Sequence, residues 1–376
     1  MKKSKRTILT FSLASFLNDM GSDMIFPIWP LFVTTYLGAN MTILGFLDGL
    51  GDAIVSISQA TSGYLSDRLK RRKIFIWTGY LAASISRIGY SLSGTWQYLV
   101  PFKILDRGGK IRGAPRDAMV ADLSTKENRG RNFGILRMAD NLGAVFGVLF
   151  CILLFERLGF QRLFLLAALP SLIGTILIFT FIKERKTRGI HKGLKLKDLD
   201  VNFKLFLFLS ALFALGSFSY SFLLVYAKEA GFEITSIPIL YLTFSLVASL
   251  MALPFGKLAD RFSRKPILIL SYLLWASVCG GFILVSSKIG IFIIFVLYGL
   301  HRAALEPVQK TFVSELSPRR FRASTLGAFQ MIVGLCALPA SLIAGILWEE
   351  IGIFAPLLFS LTLSGIAMLL IIFVRE

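Results

Sequence analysis

The chain has 376 residues, of which 55% are apolar and 17% charged, and its mean hydropathy is +0.70. A soluble chain of this length would have about a quarter of its residues charged, so the composition excludes disordered, fibrous and ordinary cytosolic proteins. The formal net charge is +19. A chain this apolar is not typical of nucleic-acid-binding proteins. The positions of the positive charges along the chain are therefore more informative than their sum.

Twelve apolar segments follow one another, each close to the roughly 20 residues that a helix needs to cross a bilayer. The first six span 8–37, 41–66, 74–93, 96–122, 131–155 and 160–182. The others span 204–228, 235–258, 266–286, 289–313, 324–348 and 352–374. Only the basic connection 183–203 is long. We therefore predict a six-helix bundle in 1–182, a cytoplasmic linker in 183–203 and a second six-helix bundle in 204–376.

The loops between these segments differ in charge. With a cytoplasmic N-terminus, the loops on that side carry 27 Lys and Arg, and those on the opposite side carry 4. The positive-inside rule then predicts that both termini are cytoplasmic. Most of the net charge records this topology and attraction to anionic lipid headgroups, so we expect no nucleic-acid partner. The basic start resembles a signal peptide but lacks a small-residue cleavage site, and we expect it to be retained.

The two halves repeat each other at an offset of 193 residues, which indicates duplication. The repeated positions of one loop and its copy are Gly63, Asp67, Arg68 and Arg71, and Gly256, Asp260, Arg261 and Arg264. A second loop repeats at the same offset, since Leu123-Ser124 matches Leu316-Ser317. Such an arrangement places a substrate path between the halves.

The pattern G-x-L-a-D-R-x-x-R-[RK] in both halves resembles the signature loop of the major facilitator superfamily, and the resemblance covers the whole chain. It implies an all-α integral membrane fold with 12 transmembrane helices in two pseudo-symmetric six-helix bundles. It also implies a monomeric secondary active transporter for a small-molecule substrate. The stretches 18–25 and 106–118 resemble a group of prokaryotic transporters, which implies a multi-pass protein of the cytoplasmic membrane of a prokaryote.

In that superfamily the loop acid is held by the amino end of a helix in the other half and by arginines, and this clasp closes the cytoplasmic side. A helix N-terminus carries the partial positive charge that such a contact needs. The resemblance gives the role to Asp67 and Asp260, with Asp122 as a third member beside Arg129. The implied partners are Arg68, Arg71, Arg261 and Arg264. Alternatively, these charges only set topology.

The fourth crossing carries many charges. At 100° per residue, five of them fall within an arc of about 100°. These five are Lys103, Asp106, Arg107, Lys110 and Asp117. Charges inside a crossing are costly unless they face water or partners, so we predict that Lys103, Arg107 and Lys110 bind substrate. A network that locks this helix to its neighbours is the alternative, and Pro115 could shift the helical phase of the residues after it.

Carboxylates on neighbouring crossings could balance the positive charge on this face of the fourth crossing. Asp19 and Asp23 lie four residues apart on one face of the first crossing. Burial and a nearby arginine act on a carboxyl group in opposite directions, which suits a group that takes up and releases a proton. We predict that Asp19 or Asp23 is the proton-linked acid, and the choice stays open. Other polar residues nearby are Asp48, Asp52, Arg137, Asp140 and Asn141.

The second half has fewer charges inside its crossings. Arg302 and Glu306 share a face of the tenth crossing with Tyr298, and we predict that they contribute to substrate binding or proton coupling. We expect His301, at the edge of that face, to be a neutral structural histidine. Hydroxyl groups for substrate or for helix packing are available on the seventh crossing at Ser217, Ser219 and Tyr220.

Several motifs are absent. The sequence has no G-x-x-x-x-G-K-[ST] phosphate loop and no H-E-x-x-H or G-x-S-x-G motif, so we expect no enzyme activity and no cofactor. Three cysteines lie in apolar stretches without ligand spacing, and we expect no metal site. Asp19 with Asp23 would form at most a weak oxygen site.

These patterns predict a secondary active transporter for a small polar or anionic organic solute, coupled to protons or another ion. A proton-coupled exporter of amphiphilic drug-like compounds is an alternative. Gly143 and Gly147 keep the glycine spacing of family exporters, but the Gly-Pro pair is missing. A second alternative is a non-transporting membrane receptor or scaffold, in which the charged crossings are structural.

Overall fold

A computed structural model describes residues 2–69, 71–125, 128–184, 200–317 and 322–375. Within these ranges the backbone is largely helical and contains no β-strand, so the predicted all-α class is confirmed. The helices form two compact units. The first unit is Met1–Leu37 with Ile54–His191, and the second is Gly38–Ala53 with Lys192–Glu376. Residues 38–53, from the first half of the sequence, thus belong to the second unit.

The first predicted crossing is an interrupted helix. Helix α1 (Lys2–Asp23) ends in turns, after which a short α2 (Trp29–Leu31) leads into a π-helical turn, Phe32–Tyr36. Pro27 and Pro30 lie at the interruption, and proline disfavours a continuous helix because it lacks the backbone N–H. The polar residues of this crossing therefore lie in the last turns of α1, just before the break.

The fourth predicted crossing is also interrupted. Helix α3 (Met41–Leu69) and helix α4 (Lys73–Leu92) precede it, and it consists of α5 (Leu99–Gly108), a 3₁₀ turn and α6 (Gly113–Asp122). The 3₁₀ turn, Gly109–Arg112, advances about 120° per residue instead of 100°, so it rotates α6 by about 80° relative to α5. The single polar face predicted for this crossing therefore divides at the turn.

Helix α7 (Arg129–Phe181) covers the fifth and sixth predicted crossings in one element. The change of direction lies at Gly159, whose φ of +66° falls in the left-handed region that glycine adopts without strain. Near its start, α7 packs closely on α1, because a Cβ at Gly143 or Gly147 would overlap the carbonyl oxygens of Phe16 and Met20. This contact fixes the spacing of the two helices around the site.

The second unit continues with helices in the predicted order. They are α8 (Val201–Gly216), α9 (Tyr220–Glu229), α10 (Ile237–Phe262), α11 (Arg264–Leu284), α12 (Lys288–Leu316), α13 (Arg322–Leu335), α14 (Ala337–Glu350) and α15 (Ala355–Leu370). The seventh predicted crossing is divided between α8 and α9, and the eleventh between α13 and α14.

In the described part of the chain, eight stretches are long and apolar enough to cross a membrane. One of them, Arg131–Phe181, covers two predicted crossings. The predicted crossings that fall short by this measure are 8–37, 74–93 and 96–122. Each contains polar or charged residues that lower its hydropathy, and these three crossings build the candidate site of the first unit.

Candidate functional site

Arg87 is the polar centre of the first unit, and sequence reasoning missed it. It extends from α4 with 1% of its surface exposed. Its guanidinium donates hydrogen bonds on α1 to Ser22 Oγ at 2.7 Å and to the backbone oxygen of Asn18 at 2.9 Å. On α7 it donates to the backbone oxygen of Ala167 at 3.1 Å and to Ser171 Oγ. One side chain therefore ties three helices together.

A signal for Arg87 was present in the sequence, since it is the single charged residue of the predicted crossing 74–93 and an isolated charge in a crossing must find partners. All its hydrogen-bond partners are neutral. The charge is therefore not cancelled by an adjacent carboxylate. It adds to the positive potential of the space beside it.

That space is a narrow cleft inside the first unit, with room for about one water-sized sphere (about 10 Å³). Its lining residues are Ser22, Ile25, Phe26, Trp29, Arg87, Tyr90, Lys103, Asp106 and Arg107. Two predicted substrate residues, Lys103 and Arg107, are among them. The lining has three cations, one acid and three aromatic rings, so positive charge and aromatic surface face the same space.

The two cations from α5 are held against aromatic rings. The Lys103 ammonium lies 3.9 Å from the centre of the Trp29 ring, and this lysine is 2% exposed. The Arg107 guanidinium lies 4.8 Å from the Phe26 ring centre, and its Nε is 3.5 Å from the Asp106 carboxylate. A cation–π contact stabilises a cation without removing its charge, so the lining stays electropositive.

Asp19 and Lys110 lie next to this cleft, and both are partly buried. The Asp19 carboxylate accepts a hydrogen bond from the Asn18 amide at 3.0 Å. It lies within electrostatic range of Arg87, Lys110 and Asp140. Asp23 ends α1, and its Cβ lies beside Gly147. The structure thus places Asp19 between the cations of the cleft and an acid on α7.

Beyond the 3₁₀ turn, a second group of side chains, here called the Arg116 cluster, joins α1, α6 and α7. Arg116 Nε donates to Asp117 at 3.0 Å, and its Nη1 donates to Ser15 Oγ and lies 3.8 Å from Asp140. Arg137 lies 3.3 Å from Asp140 and 3.7 Å from Asp117. Asp117 therefore pairs with the two arginines and does not line the cleft. The rotation at the 3₁₀ turn, which precedes Pro115, explains this departure from the predicted stripe.

The end of the first unit that holds the junction of α3 and α4 has its own ion pair. Arg72 Nη1 lies 2.6 Å from Asp122 Oδ2, and its backbone N–H donates to the Glu184 carboxylate at 2.8 Å. Sequence reasoning placed Asp122 correctly at a helix end but did not find Arg72. The side chains of Asp67 and Arg129, and the space around Gly63, lie outside the described part. Both arginines named as clasp partners here, Arg68 and Arg71, are exposed.

The copy of this loop in the second unit is held differently. Arg264 Nη2 lies 2.8 Å from both Asp260 and Glu315. Glu315, at the end of α12, lies 193 residues after Asp122 and was also missed. Arg261 lies over the ring of Phe262, 5.3 Å from its centre. A Cβ at Gly256 would meet open space.

The sequence matches the Major Facilitator Superfamily over residues 11–204 and 205–376, which together cover nearly the whole chain. The chain belongs to this superfamily. It is 36% identical over 360 residues to an uncharacterized MFS-type transporter of Methanocaldococcus jannaschii, covering 93% of this chain and 90% of that protein. It is 24% identical over 321 residues to the multidrug resistance protein MdtH of Proteus mirabilis, covering 82% and 78% of the two chains.

Solved structures have the same fold. The nucleoside transporter NupG (D323A mutant) superposes with a TM-score of 0.80 at 15% identity, covering 97% of this chain and 98% of that one. A bacterial homologue of the human lysosomal transporter Spinster, in an inward-facing and unoccupied conformation, gives a TM-score of 0.76 at 16% identity, covering 100% and 98%. The predicted twelve-helix fold in two pseudo-symmetric bundles is thereby confirmed, and the chain is a multi-pass membrane transporter.

In the second unit of this transporter, aromatic rings surround the predicted polar face. His301 is 4% exposed, and its Nδ1 lies 2.8 Å from the Ser271 backbone oxygen. Its ring centre is 5.3 Å from that of Trp275. Arg302 pairs with Glu306 one turn further along α12. The structure therefore brings Arg302 and Glu306 together, and His301 is held by packing and by Ser271.

On the seventh crossing of the transporter, the Ser219 hydroxyl contacts a carboxylate of the second crossing and the start of its own helix. Ser219 Oγ donates to the Asp48 carboxylate at 2.8 Å within the second unit, and it accepts from the backbone N–H of Ser221 at the start of α9. No group of three or more His, Cys, Asp or Glu side chains that could hold a metal ion occurs in the described part of the chain.

Proposed function

We propose that this transporter moves a small anionic organic solute across the cytoplasmic membrane of a prokaryote by alternating access, coupled to protons. The observation that carries the proposal is the cleft of the first unit, where Arg87, Lys103 and Arg107 face a single acid, Asp106. Cations inside a crossing are costly unless they serve a pathway or a partner. An anionic group in the cleft would lie within the positive potential of all three.

The cleft also favours a solute with an apolar or planar part. Phe26, Trp29 and Tyr90 line it beside the cations, and aromatic rings contribute contact area with a fixed geometry. Lys110 would meet the anionic group on the side of Asp19. In the second unit, Arg302 and Glu306 on α12 would take part in substrate binding or proton coupling. A carboxylate or similar anion attached to a flat body fits this combination.

We propose that Asp19 and Asp23 take part in proton coupling on α1. Asp19 lies within electrostatic range of Lys110, so its charge and that of a bound anion compete for the same cation. Asp67 and Asp260 would act with Arg68, Arg71, Arg261 and Arg264 as the cytoplasmic clasp, joined by Asp122. Gly63 and Gly256, which lie within α3 and α10, would let the last turns of these helices adjust during the cycle. Both termini would be cytoplasmic, and the transporter would act as a monomer.

A second candidate function is proton-driven export of amphiphilic compounds. The likeness to MdtH of Proteus mirabilis favours it, as do the aromatic rings of the cleft. The packing of Gly143 and Gly147 against α1, without a Gly-Pro pair, gives these glycines a structural reason that is independent of export.

The test uses purified transporter in proteoliposomes with an imposed pH gradient. Proton current, followed with an entrapped pH-sensitive dye so that electroneutral symport is also detected, is recorded for libraries of organic acids, amines, sugars and amphiphilic drugs, with Arg107→Gln beside the native protein. Lys204→Gln, an exposed cation at the start of α8, is the matched control. We expect currents with organic acids that fall at least about tenfold in Arg107→Gln, because one charged contact contributes roughly 1.5–3 kcal/mol, and that persist in Lys204→Gln.

Currents with amphiphilic cations alone would favour export. If no solute gives a current and Arg107→Gln only lowers stability, the chain is a scaffold and the proposal is wrong.

A further inference from the structure

We propose that Asp140 on α7 is the residue that binds the coupling proton, in a carboxylate pair with Asp19. This inference rests on the proposed function and names the group that takes up the ion. In the sequence, Asp140 is one of several polar residues near the charges of the fourth crossing. Its surroundings, and not its position in the sequence, give it the role.

Backbone packing holds the two acids together. Gly143 and Gly147 follow Asp140 by about one and two turns on the same face of α7, and they let the carbonyl oxygens of Phe16 and Met20 approach α7 closely. Asp19 lies on α1 between those two carbonyl positions. The approach of α1 and α7 thus brings the carboxylates within electrostatic range.

The two oxygens of Asp140 differ. The residue is 9% exposed, and its Oδ2 accepts a hydrogen bond from Arg137 at 3.3 Å. Its Oδ1 is buried and accepts no hydrogen bond of normal geometry among the described residues, and the Ser15 hydroxyl is the neutral donor group near this carboxylate. Arg116 Nη1, at 3.8 Å from Oδ1, is beyond hydrogen-bond distance. An ionised oxygen buried without a donor is costly, so Oδ1 is the atom that gains from a proton.

Asp140 shares its nearest cations with another carboxylate. The charged and titratable groups near Asp140 are Asp19 and, further along, Asp23 on α1, Tyr80 on α4, Arg116 and Asp117 on α6, and Arg137 on α7. Arg116 is 3.0 Å from Asp117 and also donates to Ser15, and the mostly exposed Arg137 is shared between Asp117 and Asp140. Arg87 and Lys110 act on the other acid of the pair, Asp19. Neither guanidinium of the Arg116 cluster donates to Asp140 Oδ1, so a proton on this oxygen supplies the donor that it lacks.

The proton step is simple. One proton from the aqueous phase adds to Asp140 Oδ1, the carboxylate becomes a neutral carboxylic acid, and the proton returns to water on the other side. Asp117, with a third of its side chain exposed, connects the cluster to its surroundings.

Asp19 links this step to the solute. In the empty cleft, Lys110 and Arg87 offset the charge of Asp19. An anion that draws those cations leaves Asp19 less compensated beside Asp140, which makes protonation of the pair more favourable. By linkage, proton binding then strengthens anion binding by the same factor.

The test is infrared difference spectroscopy of the purified transporter in lipid, titrated from alkaline to acidic pH without any solute. We expect a titrating carbonyl band of a protonated, buried carboxylic acid in the native protein. Asp140→Asn should remove this band completely. Asp117→Asn, which contacts the same two arginines, should keep it. Asp19→Asn should keep the band but shift its titration to lower pH, because a neighbouring negative charge is removed.

Asp140→Glu guards against misfolding of the asparagine variant, since it should retain a titrating band at an altered position. A native protein without the band, a band that persists in Asp140→Asn, or one that disappears only in Asp19→Asn would each overturn the assignment. The measurement needs no transported solute. If the infrared band is absent, the proposed anion cleft is unaffected. If the transport assay fails, the infrared band can still be observed, but it has no transport step to explain.

Discussion

Each unit of this transporter is organised around one very large buried donor, and the two donors differ in charge. Arg87 on α4 and Trp275 on α11 are the two largest fully buried side chains. Each donates to a serine on the last crossing of its own half, Arg87 to Ser171 and Trp275 Nε1 to Ser360 at 2.8 Å. The arginine brings a positive charge and several further donors, whereas the indole has a single N–H and a large apolar ring.

The same contrast runs along the fourth crossing and its copy. At the offset of 193 residues that aligns the loops, three of the five basic residues of the fourth crossing, Lys103, Arg107 and Lys110, correspond to Val296, Leu300 and Ala303. Charge at the ends that hold these loops is retained in both copies, as Asp122 and Glu315 show. The interior differs, because the fourth crossing faces its cleft with cations, whereas its copy carries the oppositely charged pair of Arg302 and Glu306.

The largest expected effect concerns the two buried donors. Arg87→Met should destabilise the transporter by about 3–5 kcal/mol, because acceptors on α1 and α7 lose their donors together. Trp275→Phe removes a single N–H and part of a ring, and should cost about 1–3 kcal/mol. Thermal unfolding of both variants in the same lipid or detergent measures the difference. Equal losses of stability in the two variants would show that the charge of Arg87 contributes no more to stability than the single N–H of Trp275.

The second-largest expected effect compares a glycine at a close helix contact with a glycine on an open helix surface. Gly143→Ala should cost about 1–3 kcal/mol, because the new Cβ overlaps the backbone of Phe16 and the helices must move apart. Gly365→Ala on α15 is the matched control, since a Cβ there meets open space and alanine favours a helix by about 0.5–1 kcal/mol. The melting temperatures of the two variants should therefore move in opposite directions, and a shared direction contradicts the packing argument.

The smallest effect is expected at the junction of α10 and α11 in the second unit. Arg264 has two carboxylate partners, so Asp260→Asn or Glu315→Gln alone should cost about 0.5 kcal/mol or less. The double variant should exceed the sum of the single ones, because Arg264 then has no carboxylate among those two positions. A double-mutant cycle on unfolding measures the coupling. Strict additivity would mean that the two pairs are independent.

Part of the site was predictable and part was not. Lys103 and Arg107 were identified because charges at helical spacing inside a crossing must face a path or a partner. Arg87 and Asp140 were not, since neither lies in a stripe and each acts through residues far away in the sequence. Asp117 was assigned to the wrong face because a projection at constant angle assumes a regular α-helix through Gly109–Arg112.

The sequence by itself determined the membrane class, the order of the crossings and the superfamily, because hydropathy and a repeated loop are local properties that need no contacts to be recognised. The tertiary structure alone decided which polar residues meet. Arg87 joins helices through backbone oxygens that no sequence pattern marks. The electropositive cleft exists because a 3₁₀ turn and two interrupted helices orient a few side chains toward one space, and that orientation depends on packing.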